Sequence, residues 1–332
     1  MQWQQQRDAL AQKLDHLPSG HFHTLALEVF QFQVRFNPLY REYISLLNIR
    51  PEKVEQPEDI PFLPVSLYKT HARQTGSCAP ALRFSSSGTS AMSTSHHLLK
   101  DPAFYLANAE RCFSAAYGPT AGFCFLALLP SYLEREGSSL VYMANHFIRS
   151  SPYRQSGFFL YDWNNLTRVL DECREQKIPT VLLGVSFALL ELAEKSPLKI
   201  PDAIVMETGG MKGRRRELTR AELHGQLTEA FGVAAIHSEY GMTELLSQAY
   251  SRGEGRFHPS PPMRVYAREI TDPLSAQDNG RLGALNIIDL ANLDTCSFIA
   301  TDDLGKVHPD GSFEVLGRLD NSDIRGCNLL IS

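Results

Sequence analysis

The run Thr180-Val181-Leu182-Leu183-Gly184-Val185-Ser186-Phe187-Ala188 opens as an apolar strand, turns at one glycine and passes into a helix. A second apolar run follows at residues 203–206, so strand, helix and strand succeed one another. Working outward, residues 123–129, 157–161 and 234–237 read as further buried strands, with helix candidates between them. Those candidates carry start signals. Asp101-Pro102 sets an N-cap before a first-turn proline, and Thr219-Arg220-Ala221-Glu222 is a capping box. Asp162 precedes the helical stripe Leu166, Val169, Leu170 and Cys173. Alternation of this kind predicts an α/β fold, a mostly parallel sheet layered with helices.

The flanks read differently. Residues 1–49 are helical in pattern, with Leu25, Val29, Phe32 and Phe36 at helical spacing and an interruption at Pro38. A proline-punctuated connector, residues 51–64, leads into residues 65–69. After residue 260, strand-like runs at 263–270, 282–289, 297–301 and 312–316 alternate with turn signals at Asp278-Asn279-Gly280 and Asp310-Gly311. The expected organisation is a helical N-terminal region and connector (1–75), an α/β core (76–260), a β-rich C-terminal subdomain (261–316) and a hinge-like tail (317–332) carrying Cys327.

Composition narrows the classes. The chain has 332 residues and a formal charge of −5, which argues against a general nucleic-acid or anionic-membrane surface. Its six cysteines are scattered without zinc or disulfide spacing. The N-terminus is polar, and the longest apolar stretches, 123–129 and 181–190, are too short to span a bilayer. A cytoplasmic protein with no membrane span and no nucleic-acid partner is expected.

Four segments carry chemistry. Phe84-Ser85-Ser86-Ser87-Gly88-Thr89-Ser90-Ala91-Met92-Ser93-Thr94-Ser95 places eight hydroxyls and one glycine after an apolar lead-in. Dense hydroxyl and N–H donors suit an oligophosphate, although the same composition suits a polar surface loop. Ser238-Glu239-Tyr240-Gly241-Met242-Thr243-Glu244 follows a strand, where ligands bind in open α/β sheets. Its aromatic, glycine, hydroxyl and carboxylate can stack a base, bring backbone close, bond a phosphate and hold Mg²⁺. Thr301-Asp302-Asp303-Leu304-Gly305, read as lying just after a strand, offers an aspartate to a ribose diol or forms an Asp-rich turn. Gly317-Arg318-Leu319-Asp320 sets a guanidinium for phosphate or ribose oxygens, or is a surface turn.

In this order the segments resemble the acyl-adenylate-forming superfamily, which includes acyl-CoA and aryl-CoA synthetases. There the phosphate loop reads Ser/Thr-Ser-Gly-Thr-Thr-Gly-x-Pro-Lys, followed by Tyr-Gly-x-Thr-Glu, Thr-Gly-Asp and Gly-Arg-x-Asp. The resemblance implies ATP and Mg²⁺ as cofactors. It sets Ser86, Ser87, Gly88 and Thr89, flanked by Ser85 and Ser90, on the pyrophosphate loop. Tyr240 falls on the adenine-stacking aromatic, followed by Gly241. Thr243 falls on the phosphate contact and Glu244 on the Mg²⁺ ligand. Asp303 falls on the ribose aspartate, Arg318 on the nucleotide-contacting arginine and Asp320 on the interdomain hinge. Departures are visible. Ser90, Ala91, Ser93 and Thr94 stand where the family has Thr, Gly, Pro and Lys, and Asp302 replaces a glycine. The family's mobile C-terminal domain, with its catalytic lysine, has no counterpart in this sequence.

A closer resemblance is to the acyl-protein synthetase component of bacterial fatty acid reductases, related to phenylacetate-CoA ligases. It extends to Ile60-Pro61-Phe62-Leu63-Pro64-Val65 and Glu207-Thr208-Gly209-Gly210-Met211-Lys212-Gly213. That family carries an acyl-accepting cysteine near its C-terminus, a role that Cys327 in Arg325-Gly326-Cys327-Asn328 fits. The implied activity is adenylation of a carboxylic acid, expected to be fatty, followed by transfer to a cysteine thiol. The implied partner is an acyl-reductase or acyl-carrier protein. Lys212 and Arg214, among glycines after a strand, suit polyphosphate, and a solvated basic loop is the alternative. His237 is open between orienting a carboxylate and serving as a core histidine. Three rival activities stay in view: a CoA ligase of the phenylacetate type, an inactive nucleotide-binding subunit, and a hydrolase using Ser186 in Gly184-Val185-Ser186-Phe187-Ala188.

Overall fold

The computed structural model describes residues 2–18, 20–71, 74–77, 79–86, 94–129, 137–160, 162–196, 198–209 and 218–319. Helices α1 (Gln2–Asp15), α2 (Phe22–Phe36) and α3 (Pro38–Leu46) come first, then β1 (Leu63–Pro64), β2 (Leu82–Ser85) and β3 (His96–Leu99). Next are α4 (Pro102–Tyr117), β4 (Cys124–Leu128), α5 (Ser139–Ser150), β5 (Gly157–Phe158) and α6 (Trp163–Glu175). β6 (Thr180–Val185), α7 (Ser186–Lys195), β7 (Ile204–Thr208), α8 (Arg220–Phe231) and β8 (His237–Tyr240) follow. The last strands are β9 (Ala249–Ser251), β10 (Arg256–Pro259), β11 (Met263–Arg268), β12 (Gly283–Asp289), β13 (Phe298–Val307) and β14 (Phe313–Arg318). They form two compact units, residues 77–263 and residues 1–76 with 264–332.

In the unit 77–263 the strand order is β10-β9-β8-β7-β6-β4-β5. β5, β4, β6, β7 and β8 run parallel, β9 is antiparallel to β8, and β10 turns back antiparallel to β9. β4 and β6 are buried along their whole length, as a parallel strand covered on both faces requires. The expected helix starts are present. Asp101 accepts from Phe104 N, Asp162 accepts from Asn165 N, and Thr219 with Glu222 closes a capping box. On α6, Leu166, Val169, Leu170 and Cys173 are the buried stripe. Phe113, Phe125 and Phe147 pack mutually with centroids 5.4, 5.4 and 5.3 Å apart, so these rings are core.

In the other unit, β12, β13 and β14 pair antiparallel, β11 lies beside β12, and β1 adds in parallel against β13. Pro38 does not merely interrupt a helix. Asn37 caps α3 by accepting from Tyr40 N, and Pro38 is the first helical residue. The helices are fastened by packing and by buried polar contacts. Phe298 stacks on Tyr40 at 5.8 Å and meets Phe30 edge-on at 6.0 Å. Arg7 donates from Nε and Nη2 to Asp294 at 3.0 and 2.7 Å. Gln33 donates to Asn292 O at 2.9 Å and accepts from Ser297 N at 2.9 Å.

Two strand limits differ from the sequence reading. β8 begins at His237 and runs through Tyr240, so Ser238, Glu239 and Tyr240 are strand residues rather than loop. Pairing on both sides, to β7 and β9, extends the strand through these polar positions. Likewise Asp302 and Asp303 lie within β13, not after a strand, because β14 pairs them: Asp303 faces Arg318 and Asp302 O accepts from Leu319 N. No helix among the described residues is long and apolar enough to cross a membrane.

Candidate active site

Strand β8 delivers Tyr240 at its last position, and the chain turns immediately through Gly241 to Glu244, with Leu245 N closing back on Met242 O. Tyr240 is buried against Phe257 (5.8 Å, edge-on), with its hydroxyl directed to Met242 Sδ at 3.5 Å. Gly241 is fixed by close approach rather than by an unusual φ. A Cβ there would lie 2.5 Å from Glu239 Oε1. Behind the turn, buried His97 on β3 donates from Nδ1 to Thr243 O at 2.7 Å. Asn108 on α4 donates to Leu246 O and lies 3.0 Å from Ser247 Oγ.

His97 joins two of the four segments, because β2 and β3 are the arms of the hairpin that carries the serine-rich loop. The loop neck is closed by Ser86, whose N–H donates to Ser95 O at 3.0 Å and whose hydroxyl accepts from Ser95 N at 3.0 Å. Ser85 donates its N–H to Gly137 O, and its hydroxyl meets His96 Nδ1 at 3.1 Å. Ser85 and Ser86 therefore shape the base of the loop. Ser87, Gly88, Thr89 and Ser90 lie outside the described residues, as do Lys212, Arg214, Asp320 and Cys327.

Two carboxylates near the ends of β7 and β8 have opposite electrostatics, Glu207 in register with Ser238 and Glu239 with Thr208, so that they project from opposite faces of the sheet. Burial pushes Glu207 up, but hydrogen bonding to His224, Ser238 and Ser186 and the charge of Arg220 outweigh it and hold the group below its ordinary value. Glu239 is pushed up to about 7, first by burial and then by the charge of Glu207, against the Thr208 hydroxyl that donates to it. His237 is pulled down to about 4 by burial and by the charges of Arg252 and His224, and its Nδ1 lies 3.0 Å from Tyr117 Oη. That makes it a neutral, half-buried histidine hydrogen-bonded to Tyr117. Ser186 is buried at the start of α7, 3.0 Å from Glu207 Oε2 and 2.6 Å from Gly209 O, with no nucleophile-elbow exposure. The hydrolase alternative loses its residue.

In the other unit, Asp303 and Arg318 are cross-strand partners, with Arg318 Nε 3.6 Å from Asp303 Oδ1. Asp303 is 14% exposed at its side chain and Arg318 66%, so the carboxylate is held and the guanidinium reaches into solvent. Asp303 N donates to Thr301 Oγ1 at 3.1 Å, and Thr301 Oγ1 donates to Leu285 O at 2.8 Å. Buried Arg268 clamps the same strands, donating to Leu285 O, Asn286 Oδ1 and Thr301 O at 2.9, 2.8 and 2.6 Å.

Among the described residues no group of three or more His, Cys, Asp or Glu could hold a metal. Mg²⁺ needs no such cage, because one or two carboxylates plus substrate phosphates suffice. The hard oxygen donor of Glu244 fits that mode. Sequence reasoning missed His97 and Arg268, which fix motif backbone at Thr243 and Thr301, and Asn108, which holds Leu246 just past the turn. Their signal is a polar side chain on an otherwise apolar strand or helix face, legible only once the face is known to be buried.

No family model matches the chain, and no curated protein matches it. Solved structures do. An open conformation of 2-hydroxyisobutyryl-CoA ligase, in complex with 2-HIB-AMP and CoA, aligns with TM-score 0.64 at 14% identity, covering 92% of this chain and 76% of the other. The same ligase in its postadenylation state gives TM-score 0.67 at 12% identity, covering 92% and 69%. ATP-bound MatB from Rhodopseudomonas palustris gives 0.54 at 17% identity, covering 85% and 58%. The chain thus has the fold of adenylate-forming ligases. It spans 49%, 58% and 61% of the first three solved structures it matches.

Proposed function

We propose that this protein activates a carboxylic acid with ATP, forming an acyl adenylate, and passes the acyl group to the thiol of Cys327. The supporting observation is the His97 bond to Thr243 O, which ties the hairpin bearing the serine-rich loop to the Tyr240–Glu244 turn in a ligase-like fold. In the first step a carboxylate oxygen attacks the α-phosphorus, the bond to the β-phosphate bridging oxygen breaks, and pyrophosphate departs with that electron pair. Charge builds on phosphate oxygens, so catalysis is positioning and electrostatics. Ser86–Ser90, Thr243 and Lys212 donate to these oxygens, Tyr240 and Gly241 flank the base, and Asp303 with Arg318 holds the ribose. Glu244 would hold Mg²⁺, which supplies charge neutralisation when bound. In the second step the Cys327 thiolate attacks the acyl carbon and AMP leaves, giving a thioester. Cys112, Cys124, Cys173 and Cys296 are buried, which favours an acceptor among the other cysteines. The location is cytoplasmic, and the partner is an acyl-reductase or acyl-carrier protein that draws the thioester off.

A CoA ligase is the second reading, favoured by the neighbours, which are themselves CoA ligases. Incubation with ATP, Mg²⁺ and radiolabelled acids of graded chain length separates the two. Label bound to protein, sensitive to hydroxylamine and lost in Cys327→Ser, is the expected result. Free acyl-CoA, formed on adding CoA with no protein-bound label, would overturn transfer to Cys327.

A further inference from the structure

Cys124 on β4 and Cys173 on α6 are 49 residues apart in the chain, and their sulfurs meet at 3.9 Å. Side-chain alternation along β4 explains the meeting. Phe125 turns to Phe113 and Phe147 on one face of the sheet, and Cys124 turns to α6 on the other. On α6, Cys173 belongs to the stripe that the helix buries. The two thiols are 0% and 2% exposed. A hydroxyl completes the cluster. Ser156 Oγ lies 3.6 Å from Cys124 Sγ and accepts from Phe125 N at 3.1 Å, which pins it against β4.

A cavity of about 310 Å³ reaches this cluster from the β5 edge of the sheet. Arg154, Gln155, Ser156 and Phe159 line it on one side, and Val169 and Glu172 of α6 on the other. Ser156 is both cavity wall and contact of Cys124, while Val169 lies one helical turn before Cys173. The sulfur pair is therefore one side chain away from a space that admits a small molecule. Burial at the same time shields it from bulky thiol reagents. The two thiols also differ in acidity. Hydrogen bonding with Cys124 outweighs burial and holds Cys173 down to about 7, whereas the same bond and burial push Cys124 up. One thiolate beside one thiol gives a nucleophile and a resolving partner already in contact.

We propose that Cys124 and Cys173 form a reversible oxidation site, closing to a disulfide that staples α6 to β4 when hydrogen peroxide enters the cavity. The Cys173 thiolate attacks one peroxide oxygen, an S–O bond forms and the O–O bond breaks. The departing hydroxide takes up the proton that Cys173 gave on ionising and leaves as water. The Cys124 sulfur then attacks the sulfenic sulfur of Cys173, and the S–O bond breaks. Its hydroxide takes the Cys124 proton and leaves as a second water. Two thiols lose two electrons and one peroxide gains them. Bond formation brings the sulfurs about 2 Å closer than their 3.9 Å contact, a closure that side-chain rotation supplies. An external dithiol reopens the bond by exchange.

The experiment treats the reduced, native chain with hydrogen peroxide, alkylates residual thiols after denaturation and maps the peptides without reduction. The expected product is a peptide pair joined through Cys124 and Cys173, two hydrogens lighter than the separate thiols and released by dithiothreitol. The oxidised protein should melt about 5 °C higher than the reduced one, and reduction should restore the lower value. Cys124→Ser and Cys173→Ser each lose the cross-link and the shift. Should a variant fail to fold, the wild-type map and melts decide. Urea below the unfolding transition tests the cavity route, because cross-linking in the folded state keeps its rate there. A rate that climbs with urea in step with global unfolding would overturn the proposal. So would sulfinic acid on Cys173 with Cys124 left as thiol, or peroxide oxidation of other cysteines with this pair untouched.

Discussion

At the scale of single residues, Gly241 and Glu239 show how a motif is enforced from below. Gly241→Ala forces a methyl against Glu239 Oε1, and overpacking of this kind costs about 1–3 kcal/mol. A lowered melting temperature and a raised KM for ATP are expected, and unchanged ATP affinity would mean the turn tolerates displacement. Glu239 also makes stability depend on pH. Its folded pKa lies above that of an ordinary unfolded carboxyl, so the folded state retains a proton that the unfolded chain releases. Its contribution is therefore complete at low pH and is lost as pH rises from about 4.5 to 7. Glu239→Gln should melt with the wild type near pH 4.5 and above it at pH 8, and denaturant titrations at both values check this. Residue types in the motifs were legible in the sequence. Their support was not, because His97, Thr208 and Arg268 act through backbone carbonyls or buried faces that no local pattern marks.

At the scale of elements, helix starts were the most readable feature, since a cap and its partner lie three residues apart in one segment. Thr219→Ala should cost about 1 kcal/mol by removing the α8 cap. Strand ends were read short where polar residues continue a ladder. Ser238–Tyr240 and Asp302–Asp303 stay in register through long-range pairing, with a bulge at Leu304/Gly305 easing β13 past β14. Between elements, Arg7 and Asp294 form the buried bidentate pair that ties α1 to the segment before β13. Asp294→Ala removes the bidentate acceptor of a buried guanidinium and should cost about 3–5 kcal/mol by chemical denaturation. A loss below about 1 kcal/mol would mean water reaches the pair.

At the scale of the molecule, strand–helix alternation foretold a parallel, helix-covered sheet, and the unit 77–263 has one. The N-terminal helices belong with the C-terminal strands in a single unit, an association made by contacts such as Gln33 with Ser297 that span most of the chain. Thiol chemistry is a whole-molecule property too. Of six cysteines, Cys112, Cys124, Cys173 and Cys296 are buried, so a thiol reagent should spare these four in native protein and modify them after unfolding. Peptide mapping of the labelled protein reads this directly. The central claim is activation of an acid through its adenylate, and isotope exchange between pyrophosphate and ATP measures it without regard to the final acceptor. Exchange that requires a carboxylic acid, survives Cys327→Ser and collapses in Glu244→Ala or Asp303→Ala is the expected result. Absence of exchange across aliphatic, hydroxylated and aryl acids, or exchange indifferent to the acid, would contradict it.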